Sequence, residues 1–596
     1  MKRLLAAFAA ALMLLSACSA PPPEPEPEPE GTGLTREDGM TVNLHIGGEP
    51  SSIDPAYATA DDGGSYVLHL FEGLTALGED GRAVPAAASE WTVEEDKNGL
   101  PIYTFTLREG LSWSDGTPVT AEDFAYAWLR ALNPEAASPA AHQLYPIHNA
   151  QRYREGVPEA GEDGAFTTQF TVKPEEVGIE AVDETTLKVT LEGPCPDLPE
   201  LMAMPVWCPV PKAAAEANPD TWTQSAATCV TNGRYLLKEW NHDKNLVLVA
   251  NDQHRDAGKG PRLLNFVLSG DAQAVYNDFA AGRLQYASAI PTLEQEKEAQ
   301  AGTLEELPRA GVYYYVFNAA KAPFDDARVR RAISLAIDRG ALGEAGSGRS
   351  AAYGLVPDGI PDTATGREFS KFAPPLGGSA ASNREEARKL LAEAGYPGGE
   401  GFPQLRFITN DAPAHLEAAE AVREMLAQVL GIDMAISGLS TQDFLAARGE
   451  DGWDMARGGF VGDRLDAAPY LEGWSAGAGA NYGGFSSEEY DKLIAYARTA
   501  PEEKEDEAGE GASEADQTGD EEGAETELTL TRMETLHVIE KLLVLDEAAV
   551  VPLWQYREPA LTAPGLTGVI ASPLGYRLFQ LAQWTPPAEE AEAPAA

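Results

Sequence analysis

The chain reads as a mixed α/β protein of several domains. Three observations carry that reading: its length, its apolar content, and short alternating segments interleaved with amphipathic helical ones. At roughly 100–200 residues per domain, 596 residues correspond to about two to four domains. Hydrophobic residues make up 43%, with 10 Trp, 20 Tyr and 18 Phe, ample for sizeable cores. Alternation of period two predicts strands at Thr41–Ile46, Ile102–Leu107, Leu187–Leu191 and Leu246–Val249. Thr120-Ala121-Glu122-Asp123 opens a helix, with Thr120 as N-cap and Asp123 reaching back to it. That helix runs to about Leu132 and Pro134 stops it. Further amphipathic helices are expected at Arg328–Asp338, at Arg384–Ala394 closed by Gly395, and at Ala414–Leu430 closed by Gly431.

Charge excludes one class of function. The 94 Asp+Glu against 44 Lys+Arg give a net charge of −50. Nucleic-acid binding needs clustered Lys and Arg to release counterions, so no nucleic-acid partner is expected. Part of the charge sits in low-complexity sequence. Pro501–Glu527 carries a net charge of −12 with almost nothing apolar, and reads as a solvated excursion; residues 587–596 form an acidic tail.

The N-terminus gives an address. Lys2 and Arg3 precede an apolar run from Leu4 to Leu15, too short to span a bilayer but suited to a secretory signal. Leu15-Ser16-Ala17-Cys18 resembles a bacterial lipobox, which implies a signal peptide over 1–17 and a diacylated Cys18. Residues 18–40 then form a tether in which Pro alternates with Glu, an extended spacer rising about 3 Å per residue. The expected location is extracytoplasmic, anchored by lipid to the bacterial cell membrane. Three cysteines remain, Cys195, Cys208 and Cys229, compatible with one disulfide plus a free thiol or with three free thiols.

Motifs for catalysis are missing. There is no HExxH, no phosphate-binding G-x-x-x-x-G-K-[ST] and no G-x-S-x-G elbow. The eight histidines are scattered without an i, i+4 pair, and no Cys/His spacing suits zinc. The pairs Asp61-Asp62 and Asp325-Asp326 read as solvated loops or caps. No enzyme, no cofactor and no metal are expected.

A family becomes visible in longer phrases. They include Glu49-Pro50-Ser51-Ser52-Ile53-Asp54-Pro55, Ala88-Ser89-Glu90-Trp91 and Trp113-Ser114-Asp115-Gly116-Thr117-Pro118-Val119-Thr120-Ala121-Glu122-Asp123-Phe124. Thr231-Asn232-Gly233-Arg234-Tyr235, Pro323-Phe324-Asp325-Asp326-Ala327-Arg328-Val329-Arg330 and Trp453 to Asp463 follow in order. Together they resemble the extracytoplasmic peptide-binding proteins of ABC importers, the oligopeptide and dipeptide branch. The resemblance implies a two-lobed periplasmic-binding-protein-like fold of type II, the large peptide-binding class, with an extra domain inserted in the first lobe. It places the first lobe at 41–77, 205–311 and 548–586, the inserted domain at 78–204, and the second lobe at 312–547.

The resemblance also implies a site and partners. Asp463 ends the family's A-R-x-G-W-x-x-D stretch and would pair with a peptide's α-ammonium; a helix-capping role is the alternative. Arg457 would meet a peptide carboxylate or serve as a structural salt bridge. Gly459 would offer backbone hydrogen bonds. Phe460 replaces the family's Trp, Ala140 its Tyr after Ser138-Pro139, and Thr441 a Trp of one branch. Thr59 and Asp61 fall where the opening strand faces ligand. The partners implied are a short peptide and the permease subunits of an ABC transporter, with the receptor itself a monomer. A nickel chelate, haem or oligosaccharide as cargo, or a peptide sensor without transport, are the alternatives.

Overall fold

The structure, a computed structural model, describes residues 40–586 except 79–81, 161–165, 344–347, 373–377 and 502–529. Cys18, the tether, all but the first residue of the acidic 501–527 segment, and the 587–596 tail lie outside the described residues.

Two unusually long strands organise the rest. Glu305–Phe317 and Val550–Thr562 each span 13 residues and lie side by side at the centre of an 11-stranded sheet. On one flank the order runs outward through Tyr286–Ala287, Thr41–His45, Leu263–Val267, Asn245–Ala250 and Tyr235–Asn241. On the other it runs through Met455–Val461, Leu405–Asn410 and Met434–Leu439. The central pair belongs to both flanks. Glu305–Pro308 pair with Arg557–Ala560, Val312–Val316 pair with Val550–Gln555, and the ladder is interrupted between Pro308 and Val312. Pro308 has no N–H to give, and at Gly311 a side chain would collide with the Tyr556 ring. The interruption of the ladder is therefore written into the sequence at Pro308 and Gly311.

Alternation along the central strand separates two helical layers. Tyr313 and Tyr315 are fully buried among residues of Ala327–Ala336, Ala380–Glu393 and Pro413–Leu430. Tyr314 points the other way and meets Trp474 edge-on, 5.4 Å between centroids. The inserted region forms its own four-stranded antiparallel sheet, ordered Ala88–Glu95, Pro101–Leu107, Thr186–Thr190, Ile179–Ala181. The Ala121–Leu132 helix packs on it and fully buries Phe124, Trp128 and Leu132, each contributing about 2–3 kcal/mol; Trp128 meets Trp207 edge-on at 5.0 Å. The expected capping box of Thr120 and Asp123 is present.

Element boundaries moved where a cap decided them. The helix expected from Arg384 begins at Ala380, because Ser379 accepts the N–H of Ser382. The helix expected to reach Asp338 ends at Ala336, because Asp338 caps the next short helix, Arg339–Leu342. Among the described residues the three cysteines are free and buried. No described helix is long and apolar enough to cross a membrane.

One motif residue proves to be a structural hub. Asp54, 4% exposed, accepts from both Arg130 nitrogens at 2.9 and 2.7 Å, from Trp222 Nε1 at 2.7 Å and from the Ala56 N–H at 3.0 Å. It ties the opening loop to the inserted helix and to the segment that follows the inserted sheet.

Candidate functional site

The site is built around the strand Met455–Val461. One edge pairs antiparallel with Gly311–Phe317; the other pairs with Leu405–Asn410 only at Met455 and Ala456. From Arg457 onward that second edge has no strand partner among the described residues. The Tyr482 hydroxyl donates to the Arg457 carbonyl at 3.2 Å, so Arg457 directs its backbone to the open edge. By the two-residue period, the N–H and C=O of exposed Gly459 face it as well.

Side chains divide by parity. Arg457 and Gly459 share the face of Tyr315 and Tyr313, their cross-strand partners. The Arg457 guanidinium lies 5.2 Å over the Tyr313 ring, and its Nη2 is 3.5 Å from where a Gly459 Cβ would stand. The guanidinium therefore lies along the strand beside Gly459, at ordinary van der Waals distance from where a Cβ would stand. Phe460 faces the opposite layer and packs edge-on against Tyr470 at 5.0 Å.

Around Arg457 the structure assembles a cationic, aromatic corner. Tyr313 stacks on Trp554 at 3.8 Å, Arg349 sits 4.6 Å over that indole, and His415 stacks on Tyr313 at 5.5 Å. Among the described residues neither Arg457 nor Arg349 has a carboxylate partner, and Arg457 Nε is buried without a hydrogen bond. His415 is held down to about 4 by burial and by the charges of Arg457 and Arg349, so it is neutral at pH 7. The corner is a preformed place for an anion.

Asp463 lies beyond the strand end, where Gly462 N–H bonds the Ala310 carbonyl at 2.6 Å. Its carboxylate is 40% exposed and touches His142 of the inserted domain, Nε2 to Oδ2 at 2.5 Å. Burial alone would raise the Asp463 pKa, but the hydrogen bond and charge of His142, with Arg464 behind, hold it below the ordinary value. Arg464 in turn reaches the inserted domain at Asp197, Nε to Oδ2 at 2.9 Å.

The remaining expected residues separate. Asp61 is exposed and pairs with Arg309 at 2.8 Å; Arg309 also holds Glu558 at 2.9 Å, bridging the opening loop and both central strands. These three line a cavity of about 220 Å³. Thr59 closes a tight loop by backbone bonds with Asp62. Ala140 is buried, two residues before His142. Thr441 is exposed at the start of the helix Thr441–Ala447, beyond the edge strand Met434–Leu439. Sequence reasoning missed His142, Arg349 and His415. His142 and Asp463 are 321 residues apart, so no spacing links them. Among the described residues no cluster of His, Cys, Asp or Glu could hold a metal ion.

Known proteins give this geometry its context. The model of bacterial extracellular solute-binding proteins, family 5, matches residues 82–482. The periplasmic murein peptide-binding protein MppA of Escherichia coli (strain K12) is 31% identical over 535 residues, 88% of this chain and 89% of that one. The dipeptide-binding protein DppE of Bacillus subtilis (strain 168) is 28% identical over 89% of each chain. The probable deoxycholate-binding periplasmic protein YgiS of Escherichia coli (strain K12) is 30% identical over 81% of this chain and 86% of its own. Among solved structures, the unliganded open form of the murein tripeptide-binding protein MppA is 29% identical, covers 91% of this chain and 97% of its own, and superposes with a TM-score of 0.75. A second structure of MppA, from Escherichia coli, superposes with a TM-score of 0.60 over 91% of this chain and 98% of its own at the same identity. With a two-lobed α/β architecture and this match along most of its length, the chain belongs to the extracytoplasmic solute-binding proteins of ABC importers, family 5, the oligopeptide- and dipeptide-binding branch.

Proposed function

We propose that the protein is a lipid-anchored extracytoplasmic receptor that binds short peptides between its lobes and delivers them to an ABC-transporter permease. One observation carries the reading: a strand edge open among the described residues, with a carboxylate, Asp463, at one end and a cationic corner, Arg457 with Arg349, at the other. A zwitterionic peptide has the complementary polarity. Its ammonium meets Asp463, its main chain adds to the edge at Gly459, and its carboxylate meets the corner. From Gly459, over which the guanidinium lies, to Asp463 is about 13 Å of extended chain, which suits a ligand of three to four residues. The 41–77, 205–311 and 548–586 segments close against 312–547 by bending where the central ladder is interrupted. The inserted domain, 78–204, follows the first lobe and delivers His142 to the site. Cys18 carries the anchor, and the peptide leaves intact.

Calorimetry with a free-amine tripeptide and its N-acetyl form tests this. Acetylation, or Asp463→Asn, should weaken binding by about five- to thirtyfold, a charged hydrogen bond discounted for the exposure of Asp463. Unaltered affinity in both cases refutes the ammonium assignment. Native mass spectrometry of the protein as purified separates peptide from a nickel chelate, haem or oligosaccharide, and from a bile acid such as the deoxycholate for which one relative is named.

A further inference from the structure

The Asp463 carboxylate already holds a cation. His142 projects from the short 3-10 turn Ala141–Leu144 of the inserted domain and crosses to the second lobe to reach it. The ring is fixed at both nitrogens: Nε2 is 2.5 Å from Asp463 Oδ2 and Nδ1 is 3.1 Å from the Pro139 carbonyl. Both neighbours are acceptors. A neutral imidazole has a single N–H, so one of the two contacts would set lone pair against lone pair. Only the imidazolium satisfies both. His142 therefore presents to Asp463 what a ligand's amine would present, a positive charge with an N–H aimed at the same oxygen. Small Ala140, buried beneath the turn, leaves nothing bulky at its start to displace the ring.

We propose that His142 is a built-in surrogate for the ligand's ammonium, occupying Asp463 in the ligand-free receptor and displaced when a peptide amine binds. The proposal rests on the peptide reading above. It makes His142 a determinant of affinity and gives affinity a pH dependence. In the free protein the hydrogen bond and charge of Asp463 hold the His142 pKa above its ordinary value, against the opposing effect of burial. Once displaced, the ring returns to the ordinary value of about 6.5. Binding then releases a proton between those two values, so affinity rises with pH across that window and levels off below it. The other groups around the pair do not reverse the sign. Arg464, engaged by Asp197 with Asp466 beyond, favours ionised Asp463; the phenols of Tyr470 and Tyr576 are raised by burial and stay neutral throughout.

Two measurements on the full mature protein test this. The first follows the His142 imidazole C–H signals by NMR titration without ligand. A pKa above the ordinary histidine value that returns to it in Asp463→Asn is expected; an ordinary value in both overturns the proposal. The second is calorimetry from pH 5.5 to 7.5 with a free-amine tripeptide and its N-acetyl form, using wild type and His142→Gln. Wild-type affinity for the free amine should rise about two- to fivefold over this range, the worth of a half-exposed ion pair. His142→Gln should bind more tightly than wild type at pH 5.5 and lose the slope. If the free amine is preferred but His142→Gln keeps the wild-type slope, His142 is no surrogate and the peptide reading survives. If acetylation changes nothing, both fall together.

Discussion

Replacing Asp54 by Ala should destabilise the first lobe by about 3 kcal/mol. Asp54 accepts four hydrogen bonds at 4% exposure, and two come from Arg130, whose side chain is 16% exposed. Removing one partner of a buried ion pair costs about 3–5 kcal/mol, because the surviving charge is left without compensation. Arg130 keeps a little water and lies 5.4 Å over the Tyr57 ring, which puts the loss at the lower end. Asp54→Asn keeps one acceptor oxygen where Ala56 bonds Oδ1 and Trp222 bonds Oδ2, so its NH2 faces a donor and the loss should be nearly as large. Urea unfolding followed by tryptophan fluorescence reads the difference, since Trp222 donates to this carboxylate. At an m-value of about 3 kcal/mol/M the midpoint falls by about 1 M. Adding Arg130→Met to Asp54→Ala should recover part of the loss, because no buried charge is then stranded. A loss under about 1 kcal/mol for Asp54→Ala, or strict additivity in the double variant, refutes this account.

Two further outcomes follow from the geometry. Wild type should prefer peptides with a free carboxylate over their amides by about five- to thirtyfold in calorimetry, and Arg457→Met combined with Arg349→Met should abolish the preference while keeping the preference for a free amine. His69 is fully buried with Nε2 accepting the Phe579 N–H at 2.9 Å, and burial holds its pKa down to about 4, below the unfolded value of about 6.5. Its contribution is therefore complete above pH 6.5 and is lost as pH falls toward 4, by about 3 kcal/mol; thermal melts of His69→Leu should lack that slope.

Local structure was legible where a residue's role is set by its chain neighbours. The Thr120/Asp123 capping box, the closure at Gly431 and the period-two strands came from backbone chemistry within a few positions. Caps also explain the misplaced boundaries, since Ser379 and Asp338 compete for helix ends that hydrophobic periodicity cannot resolve. The family phrases located Asp463 and Arg457, but not what their side chains meet. Phe460, next to Gly459 in sequence, turns to the opposite layer because successive side chains on a strand alternate.

What the sequence by itself determined was the α/β class, the family and the phrase, Trp453 to Asp463, in which the candidate site stands. Those depend on patterns that survive when each residue is read with its neighbours. Tertiary structure alone decided that Asp54 is a hub, that Arg457 and Arg349 face no carboxylate among the described residues, and that His142 reaches Asp463. Charges find their partners through space. A contact across 321 residues depends on how two lobes and an inserted domain pack, and no local pattern encodes it.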